Sequence, residues 1–391
     1  MRLLFVKQAL AWPRASGHDV HTYYMMRALR SLGHQVGLAT VETPTAAALE
    51  GLALEQVFKL ETETTPNGAI LSDSGLQKRF RSFWGVSEQQ ILAVRRVAGV
   101  FRADAVIVSG LDALPYFPAL SGVTRVWYAA DEWMLHHLTQ IQWRRGHVVG
   151  PLKAAAIKGL YERAYRKVVD RVWVVSEGDR RAMRWGAGMA AVDVLPNGVD
   201  GEYFQPGSEV PEPRTAAFWG RLDFGPNIQA LEWFCQRVWP IVRQQVPDGR
   251  FTIIGFQPTP DVLTLASGPG ITLAANLADL RPTARRHAAV VLPFVSGAGI
   301  KNKLLEAAAM GLPIACTPVA TRGLRGRPPL SVAGSPAALA AALVGLWRDE
   351  PRRRQLGADA RAWVLEHHTW EATARDAAAG LAASRNGART P

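Results

Sequence analysis

The stretch S-G-A-G-I-K-N-K-L-L-E-A-A-A-M-G-L-P, residues 296–313, decides the fold. It follows an apolar run, residues 290–294, which predicts a buried strand, and it contains a helical segment that ends at Gly311. Gly297 and Gly299 allow a ligand to approach the backbone, and the N–H groups and dipole of a helix start attract anions. The segment therefore predicts a strand, a phosphate-binding turn and a helix.

Three charged side chains after this turn suit a nucleotide. Lys301 and Lys303 add positive charge beside the predicted helix start. Glu306 follows Lys303 by three residues on about the same helix face, and its carboxylate can accept hydrogen bonds from ribose hydroxyls. The alternative is an ordinary helix start with solvent-facing lysines and a Lys–Glu pair.

Strand and helix patterns alternate on both sides of this stretch. The chain starts with a predicted strand, Arg2–Lys7, a helix over 20–32 and a strand, Gln35–Thr40, which is the pattern of parallel sheets. Further predicted strands cover residues 103–109, 124–130, 171–176, 216–220, 250–255, 270–274, 289–294 and 313–317. Further predicted helices cover residues 153–169, 226–242, 280–287, 302–310, 336–348, 352–367 and 369–383. A break at 195–200 and a Pro-rich stretch at 206–213 separate two α/β halves.

Composition restricts the class of protein. Nearly half of the 391 residues are apolar, as in folded globular proteins, and no apolar stretch is long and uncharged enough to span a membrane. The N-terminus does not resemble a signal peptide, and Cys235 and Cys316 lack metal-ligand spacing, so we expect a cytoplasmic protein.

The net charge of +12 suggests an anionic partner. Phosphate-bearing substrates, an anionic membrane surface and nucleic acid are the three alternatives. Phe80, Phe83 and Trp84 lie beside Arg79 and Arg81, a mixture that suits peripheral attachment to a membrane. A solvated helix face with a buried aromatic edge explains the same residues.

The chain resembles the GT-B glycosyltransferases of family 4 (glycosyl transferases group 1). The stretch at 296–306 is similar to that family's donor-binding segment, with Glu306 as the second of its two glutamates and Ala298 in place of the first. The other similar motifs are V-V-S-E at 174–177, P-N-G-V-D at 196–200, F-W-G-R-L-D-F-G-P-N at 218–227, I-I-G at 253–255, D-L-R-P at 279–282, T-P-V-A-T-R-G-L at 317–324 and the segment 16–36, which resembles the family's Gly-Gly loop and following helix.

The resemblance implies an α/β fold of two Rossmann-like domains facing across a cleft (GT-B). The implied N-terminal, acceptor-side domain covers 1–195, followed by an interdomain linker at 196–213. A nucleotide-sugar donor domain covers 214–366, and a C-terminal helix, 367–384, crosses back to the N-terminal domain. We expect residues 385–391 to form a disordered tail.

A donor site is implied by the same resemblance. Arg221 and Lys303 would neutralise the departing diphosphate. Gly17 would approach the donor from the other domain, and the base would lie near Asn276 and Leu277. The implied donor-binding residues are Gly17, Arg221, Asn276, Leu277, Gly297, Ala298, Gly299, Ile300, Lys301, Lys303, Leu304 and Glu306.

Two positions depart from the family pattern. Pro226 stands where the family has a lysine, so Lys301 or Lys303 would supply the missing charge. Ala130 ends an N-domain strand where many members carry a histidine, and the next residues, Asp131 and Glu132, are the candidate catalytic carboxylates or, alternatively, helix caps. His21 would face the cleft on the acceptor side.

The implied activity is transfer of a hexose-type sugar from a UDP- or GDP-sugar to a hydroxyl of a glycan, lipid-linked or polysaccharide intermediate, with retention. We expect no metal and no cofactor, since Asp-x-Asp is absent and the histidines lack metal spacing. We expect no nucleic-acid partner, and peripheral membrane association stays an alternative use of the basic surface. Rival functions are a nucleotide-sugar 2-epimerase of the same fold and a non-catalytic binding protein for sugar nucleotides or nucleic acid.

Overall fold

The structure, a computed structural model, describes residues 1–12, 17–60, 74–130, 149–297 and 299–387. The chain forms two compact units. Unit 1 comprises Met1–Pro196 and Trp370–Pro391, and unit 2 comprises Asn197–Thr369. The chain therefore passes from one unit to the other twice.

Within the described residues, unit 1 contains a seven-stranded parallel sheet in the order β3-β2-β1-β4-β5-β6-β7. Its strands are β1 (Arg2–Lys7), β2 (Gln35–Thr40), β3 (Gln56–Lys59), β4 (Ala105–Ser109), β5 (Thr124–Ala130), β6 (Arg171–Val174) and β7 (Val192–Val194). On β1, Leu4 and Val6 enter one apolar cluster while Leu3 and Phe5 enter the other. Both faces of the sheet are therefore buried, as expected where helices cover a parallel sheet.

Helices cover this sheet. They are α1 (Gly17–Ser31), α2 (Ala46–Leu49), α3 (Gly75–Phe83), α4 (Glu88–Val100), α5 (Val149–Tyr165) and α6 (Glu177–Ala182), which a π-helical turn (Met183–Ala187) continues. Ser74 and Ser87 start α3 and α4 with capping boxes. Each serine hydroxyl accepts a hydrogen bond from the backbone N–H of the third helical residue, a glutamine, whose side chain accepts one from the serine N–H. A 3₁₀ turn, Leu114–Ala119, follows β4.

Unit 2 repeats the plan with six parallel strands in the order β10-β9-β8-β11-β12-β13, counted over its described residues. The strands are β8 (Glu212–Arg221), β9 (Arg250–Phe256), β10 (Ile271–Ala275), β11 (His287–Leu292), β12 (Ile314–Cys316) and β13 (Ser331–Val332). The helices are α7 (Gly225–Trp233), α8 (Trp239–Gln245), α9 (Pro260–Ala266), α10 (Arg281–Arg285), α11 (Asn302–Ala309), α12 (Pro336–Arg348) and α13 (Glu350–His367).

The single helix predicted over 226–242 is divided in the structure. A π-helical turn, Phe234–Val238, separates α7 from α8. Pro240 is the second residue of α8, and because proline has no backbone N–H it cannot continue the regular ladder.

The C-terminal helix α14 (Trp370–Gly387) belongs to unit 1, which confirms the predicted return. Trp370 stacks on Tyr24 at 5.3 Å between ring centroids, and the Thr373 hydroxyl donates to the Pro196 carbonyl at 3.0 Å. Near its end, Arg171 donates to the Ser384 hydroxyl. Because α14 continues to Gly387, residues 385–387 are helical rather than part of the predicted tail, while 388–391 lie outside the described residues.

Residues 197–213, predicted as most of a linker, instead pack on unit 2. Phe204 packs against its core, and Arg285 forms a two-bond ion pair with Glu209 at 2.8 Å. Arg281 donates to the Tyr203 carbonyl at 2.7 Å. These contacts, which sequence spacing does not show, extend unit 2 back to Asn197.

His368 ties together the two ends of unit 2. The Arg325 N–H donates to His368 Nε2 at 3.0 Å, so Nε2 is unprotonated and Nδ1 carries the hydrogen that is donated to the Asn197 carbonyl at 3.0 Å. The His368 carbonyl in turn accepts from the Val199 N–H at 2.8 Å. Burial is the main cause that lowers the pKa of His368 to about 4. A proton on Nε2 would break the Arg325 bond.

We expect the stability of unit 2 to fall as pH decreases from 6.5 towards about 4. In that interval the unfolded state binds a proton that folded His368 does not, so stability is complete above the interval and is lost through it. The contribution is at most about 1.4 kcal/mol per pH unit. Urea unfolding followed by tryptophan fluorescence should show a smaller pH dependence in His368→Gln, whereas His367→Gln, at the neighbouring position, should retain the wild-type slope. Equal slopes in His368→Gln and wild type would contradict this role.

Candidate functional site

The candidate site lies in unit 2 at the carboxyl ends of β8 and β11. These strands are neighbours in the sheet although two strands separate them in sequence, so the strand order reverses there. Ligands of open α/β sheets bind outside the carboxyl ends of strands at such a reversal. The predicted donor segment, residues 296–306, follows β11 directly, and Arg221 is the last residue of β8.

The turn that joins β11 to α11 requires its glycines. Gly297 has φ 99° and Gly299 has φ 71°, which are backbone conformations that side chains disfavour. Ala298 lies outside the described residues. Lys301 caps α11 but its side chain has no acceptor for the first-turn N–H groups, so these remain suited to an anion. Ile300 and Leu304, predicted as donor-binding, place their side chains in the unit 2 core.

Lys303 places its ammonium group beside the end of β8. Its Nζ donates to Asn227 Oδ1 at 2.9 Å and lies 4.9 Å from the centroid of the Phe294 ring. A Cβ at Gly220 would come within 3.0 Å of the same Nζ, so glycine there leaves room for the lysine. Burial lowers the pKa of Lys303 to about 8, with Glu306 opposing and Lys301 adding to the shift.

Lys301 adds a second buried cation. Its Nζ donates to the Gly299 carbonyl at 3.1 Å and lies 5.5 Å from the Phe294 ring centroid, so both lysines approach the same ring. A Cβ built at Gly297 would lie 3.4 Å from Lys301 Nζ and 3.6 Å from the Pro226 Cβ. The structure thus places Lys301 beside Pro226, where the sequence departs from the family's lysine.

Glu306 is fixed by a tryptophan. Trp219 Nε1 donates to Glu306 Oε2 at 2.7 Å. Burial raises the pKa of Glu306, while the Trp219 hydrogen bond and the Lys303 charge act in the opposite direction. The bond fixes the carboxylate and leaves it a second oxygen that can accept from a hydroxyl of a ligand.

Arg221 is exposed at the end of β8 and is held by its neighbour in sequence. Its guanidinium donates twice to Asp223, at 3.0 and 2.6 Å, and this bond is the first cause of a raised Arg221 pKa and a lowered Asp223 pKa. The Asn227 amide also donates to the Arg221 carbonyl at 2.7 Å. A phosphate at Arg221 would share the guanidinium with Asp223, and the phosphate role of Arg221 stays a prediction.

Asn276 and Leu277 follow β10, two strands from β8 and therefore about 10 Å away across the sheet. Asn276 has a left-handed backbone, with φ 56°, and its N–H donates to the Gly255 carbonyl at 2.8 Å. Leu277 packs against the unit 2 core. This separation suits a nucleotide whose phosphates lie at α11, and the base contact stays a prediction.

Unit 1 has its own crevice at the corresponding reversal of strand order, the carboxyl ends of β1 and β4. It has a volume of about 370 Å³, and Lys7, His18, Asp19, Trp84, Asp112 and Lys158 line it. Lys7 and Asp19 form an ion pair at 2.8 Å. Burial, with help from Lys7, lowers the pKa of His18 to about 4, and burial raises the pKa of Asp112.

His21, predicted on the acceptor side, is a buried core residue. Its Nδ1 shares a hydrogen with the Tyr128 hydroxyl at 2.8 Å, and its ring packs edge-on against Trp370 at 5.1 Å. The preceding residues His18 and Asp19 line the crevice instead. Gly17 begins α1, and the candidate carboxylates Asp131 and Glu132 lie outside the described residues.

Sequence reasoning missed several residues of these sites. Asn227 and Trp219 stand within a motif that was recognised, but their contacts with Lys303 and Glu306 depend on the pairing of β8 with β11. Lys7 ends β1 and Asp112 follows β4, so both stand where ligands bind α/β sheets. Only the strand order, which periodicity does not reveal, shows that β1 and β4 are neighbours.

Among the residues that the structure describes, no group of three or more His, Cys, Asp or Glu side chains could hold a metal ion. The helices of the described chain likewise include none that is long and apolar enough to cross a bilayer.

Comparisons with known proteins agree with the fold of two parallel α/β sheets. Residues 213–349 match the family described as glycosyl transferases group 1, and residues 15–203 match glycosyltransferase family 4. These matches and the fold define a GT-B glycosyltransferase, and the chain belongs to family 4, group 1, of these enzymes. No curated protein sequence matches the chain significantly.

Three solved structures share the fold over almost the whole chain. Sucrose-phosphate synthase of Thermosynechococcus elongatus has a TM-score of 0.70 and 16% identity, with 99% of each chain covered. HepE of Anabaena, in complex with UDP and glucose, has a TM-score of 0.66 and 14% identity over 98% of this chain and 99% of that one. TarM, known from S. aureus, has a TM-score of 0.72 and 9% identity over 97% and 98%.

We expect affinity for a nucleoside diphosphate to fall as pH rises through about 8. Only the protonated form of Lys303 attracts the anion, so each further pH unit should weaken binding several-fold, at most about tenfold. Calorimetric titration with UDP and with GDP from about pH 7 to about pH 9 would measure this dependence.

Lys303→Met should bind weakly and with little pH dependence, because the side chain keeps its length but has no charge. A wild-type affinity that stays constant above the Lys303 pKa would contradict a charged contact with this lysine.

Proposed function

We propose that this protein transfers a hexose-type sugar from a UDP- or GDP-sugar to a hydroxyl of a glycan, lipid-linked or polysaccharide intermediate, with retention of anomeric configuration. The observation that carries the proposal is the placement of Lys303. Its ammonium group is held by Asn227 at the start of α11, three residues from the fixed carboxylate of Glu306. This combination of cation, helix start and hydrogen-bond acceptor suits a diphosphate and an adjoining ribose.

Lys301 and Lys303 favour an anion for a simple electrostatic reason. Burial is the main cause that lowers the pKa of Lys303, and repulsion by the positive charge of Lys301 adds to it. A bound diphosphate would place negative charge beside both ammonium groups, which favours their protonated form and offsets their loss of hydration. Lys303, Arg221 and the α11 amides then stabilise the charge that grows on the leaving phosphate, which is the principal electrostatic requirement of the reaction.

In the proposed reaction, the bond between the anomeric carbon and the β-phosphate oxygen breaks while the acceptor oxygen bonds to that carbon on the same face. The acceptor proton passes to the leaving phosphate, so no side chain needs to act as a nucleophile. Asp131 and Glu132 remain the candidate residues for orienting the acceptor hydroxyl. The protein's contribution is positioning and charge stabilisation.

The unit 1 crevice is the proposed place for the acceptor. Lys7 and Asp19 offer a charged donor and acceptor 2.8 Å apart, and Trp84 offers an aromatic face. Hydroxyl groups of a sugar can bond to such a pair, and a sugar ring can pack on the indole. The two free cysteines support a location in the cytoplasm. The net charge of +12 supports peripheral association with an anionic membrane.

A thermal-shift screen of UDP- and GDP-sugars tests the donor site. One donor at about a hundred times its Kd should stabilise the protein by about 2.7 kcal/mol, which corresponds to roughly 5–10 °C in Tm. Lys303→Ala and Glu306→Ala should each lose most of that shift.

The matched controls are Arg354→Ala and Glu350→Ala, which break a surface pair four residues apart on α13 and should retain the shift. An unchanged shift in both site variants would rule out this donor site. The anomeric configuration of the product, read by NMR, distinguishes retention from inversion, and release of free sugar without an acceptor would favour the epimerase.

A further inference from the structure

Helices α3 and α5 of unit 1 pack side by side and share one outer surface, which we call the α3–α5 face. The Phe80 and Tyr161 rings meet edge to face at 4.1 Å, and the Gln77 amide donates to the Ala164 carbonyl at 3.0 Å. Both contacts lie on the inner sides of the two helices. The opposite sides are exposed and together form the α3–α5 face.

Apolar side chains stand on this face in solvent. Phe83 is 72% exposed and Val149 is 77% exposed, and four further residues are between 43% and 54% exposed. The exposed apolar residues are Leu76, Phe83, Val149, Leu152, Ile157 and Leu160. Those on α5 recur at three- to five-residue intervals, so they follow one side of the helix. A helix that is apolar on its outer side as well as its inner side needs a second apolar environment.

The same face is basic. Exposed cations flank the apolar residues on α3 and on α5 and its continuation: Lys78, Arg79, Lys153, Arg163, Arg166 and Lys167. Helix α3 contains no acidic residue, and the single acid within α5, Glu162, is buried. Arg81 is engaged by Glu88 at 2.9 Å and does not contribute a free charge. The α3–α5 face is therefore both apolar and positively charged.

We propose that the α3–α5 face docks on an anionic lipid bilayer. Lipid headgroups attract the lysines and arginines, while the apolar side chains enter the boundary between headgroups and acyl chains. Nucleic acid would use the cations but would leave Val149, Leu152 and Leu160 in water. A second copy of this chain would bring like charges together. A bilayer is the occupant that satisfies both properties of the face.

The docking face is continuous with the wall of the unit 1 crevice. Trp84 directly follows α3 and Lys158 belongs to α5, and both line the crevice, with the lysine Nζ 4.8 Å from the Trp84 ring centroid. A ligand in the crevice is thus held by the same two helices that contact the bilayer. On the basis of the proposed function, the acceptor is a membrane-anchored, lipid-linked saccharide whose hydroxyl end enters the crevice while its lipid stays in the bilayer.

Sedimentation with vesicles tests the docking face without donor or acceptor, so its outcome is independent of sugar transfer. The protein should bind phosphatidylcholine vesicles that contain phosphatidylglycerol and should not bind phosphatidylcholine alone. Phe83→Ser/Leu160→Ser and Lys78→Gln/Lys153→Gln should each weaken binding by about tenfold or more. Thermal melting of each variant verifies that it is folded.

Matched changes on unit 2 serve as controls. Val210→Ser/Leu263→Ser removes two exposed apolar side chains, and Arg348→Gln/Arg352→Gln removes two exposed cations, so both variants should bind vesicles like wild type. Three outcomes would overturn the proposal: equal binding to neutral vesicles, equal losses in the controls, or a dimer by sedimentation velocity that Phe83→Ser/Leu160→Ser dissociates. Tight RNA binding that depends on the lysines but not on Phe83 and Leu160 would also overturn it.

Discussion

The buried ammonium group of Lys303 is the interaction on which the site depends. A cation removed from water is costly unless acceptors and aromatic faces surround it. Asn227 supplies the acceptor, Phe294 a ring, and Glu306 an opposing charge. Glycine at position 220 leaves room for this arrangement, because a Cβ there would lie 3.0 Å from the end of the Lys303 side chain. Even with these partners, burial lowers the pKa of Lys303, and the negative charge of a diphosphate would favour its protonated form.

Parallel-sheet topology brings this arrangement together. Residues 218–227 and 296–306 are remote in sequence, yet β8 and β11 are neighbours in the sheet. The segment from Trp219 to Asn227, which includes the end of β8, and the turn after β11 therefore lie at the same edge of the sheet. Gly297 and Gly299 add no side chains at that edge. The position of the site follows from strand order, and its charge follows from which side chains those two strand ends carry.

The sequence predicted most elements and the glycine turn before α11 well because both are local. The strand–turn–helix at 290–310, the glycine positions and the Lys–Glu spacing are properties of contiguous residues. Contacts between remote residues, such as Trp219 with Glu306 or His368 with Arg325, depend on packing and were not predictable. His21 was a misread local signal: it precedes Met25 by four residues and Leu29 by eight, both fully buried, so helical spacing already put it on the inner face. His21 is close to Gly17 in sequence, but its position on the inner face of α1 buries it in the core.

The candidate donor site of unit 2 and the crevice of unit 1 lie at equivalent reversals of strand order in two similar sheets, but they differ in charge. In unit 2, Lys301, Lys303 and the start of α11 face one fixed carboxylate, so the balance is positive and favours an anion. In unit 1, Lys7 is paired with Asp19, and Lys158 attracts Asp112, so the charges there cancel locally. Paired charges offer hydrogen-bond donors and acceptors but do not attract a charged ligand, so they suit hydroxyl groups better than phosphate. Under the proposed function, the same fold would bind a charged donor at one sheet and a hydroxyl-rich acceptor at the other, because the side chains at the strand ends, and not the sheet itself, set the electrostatics.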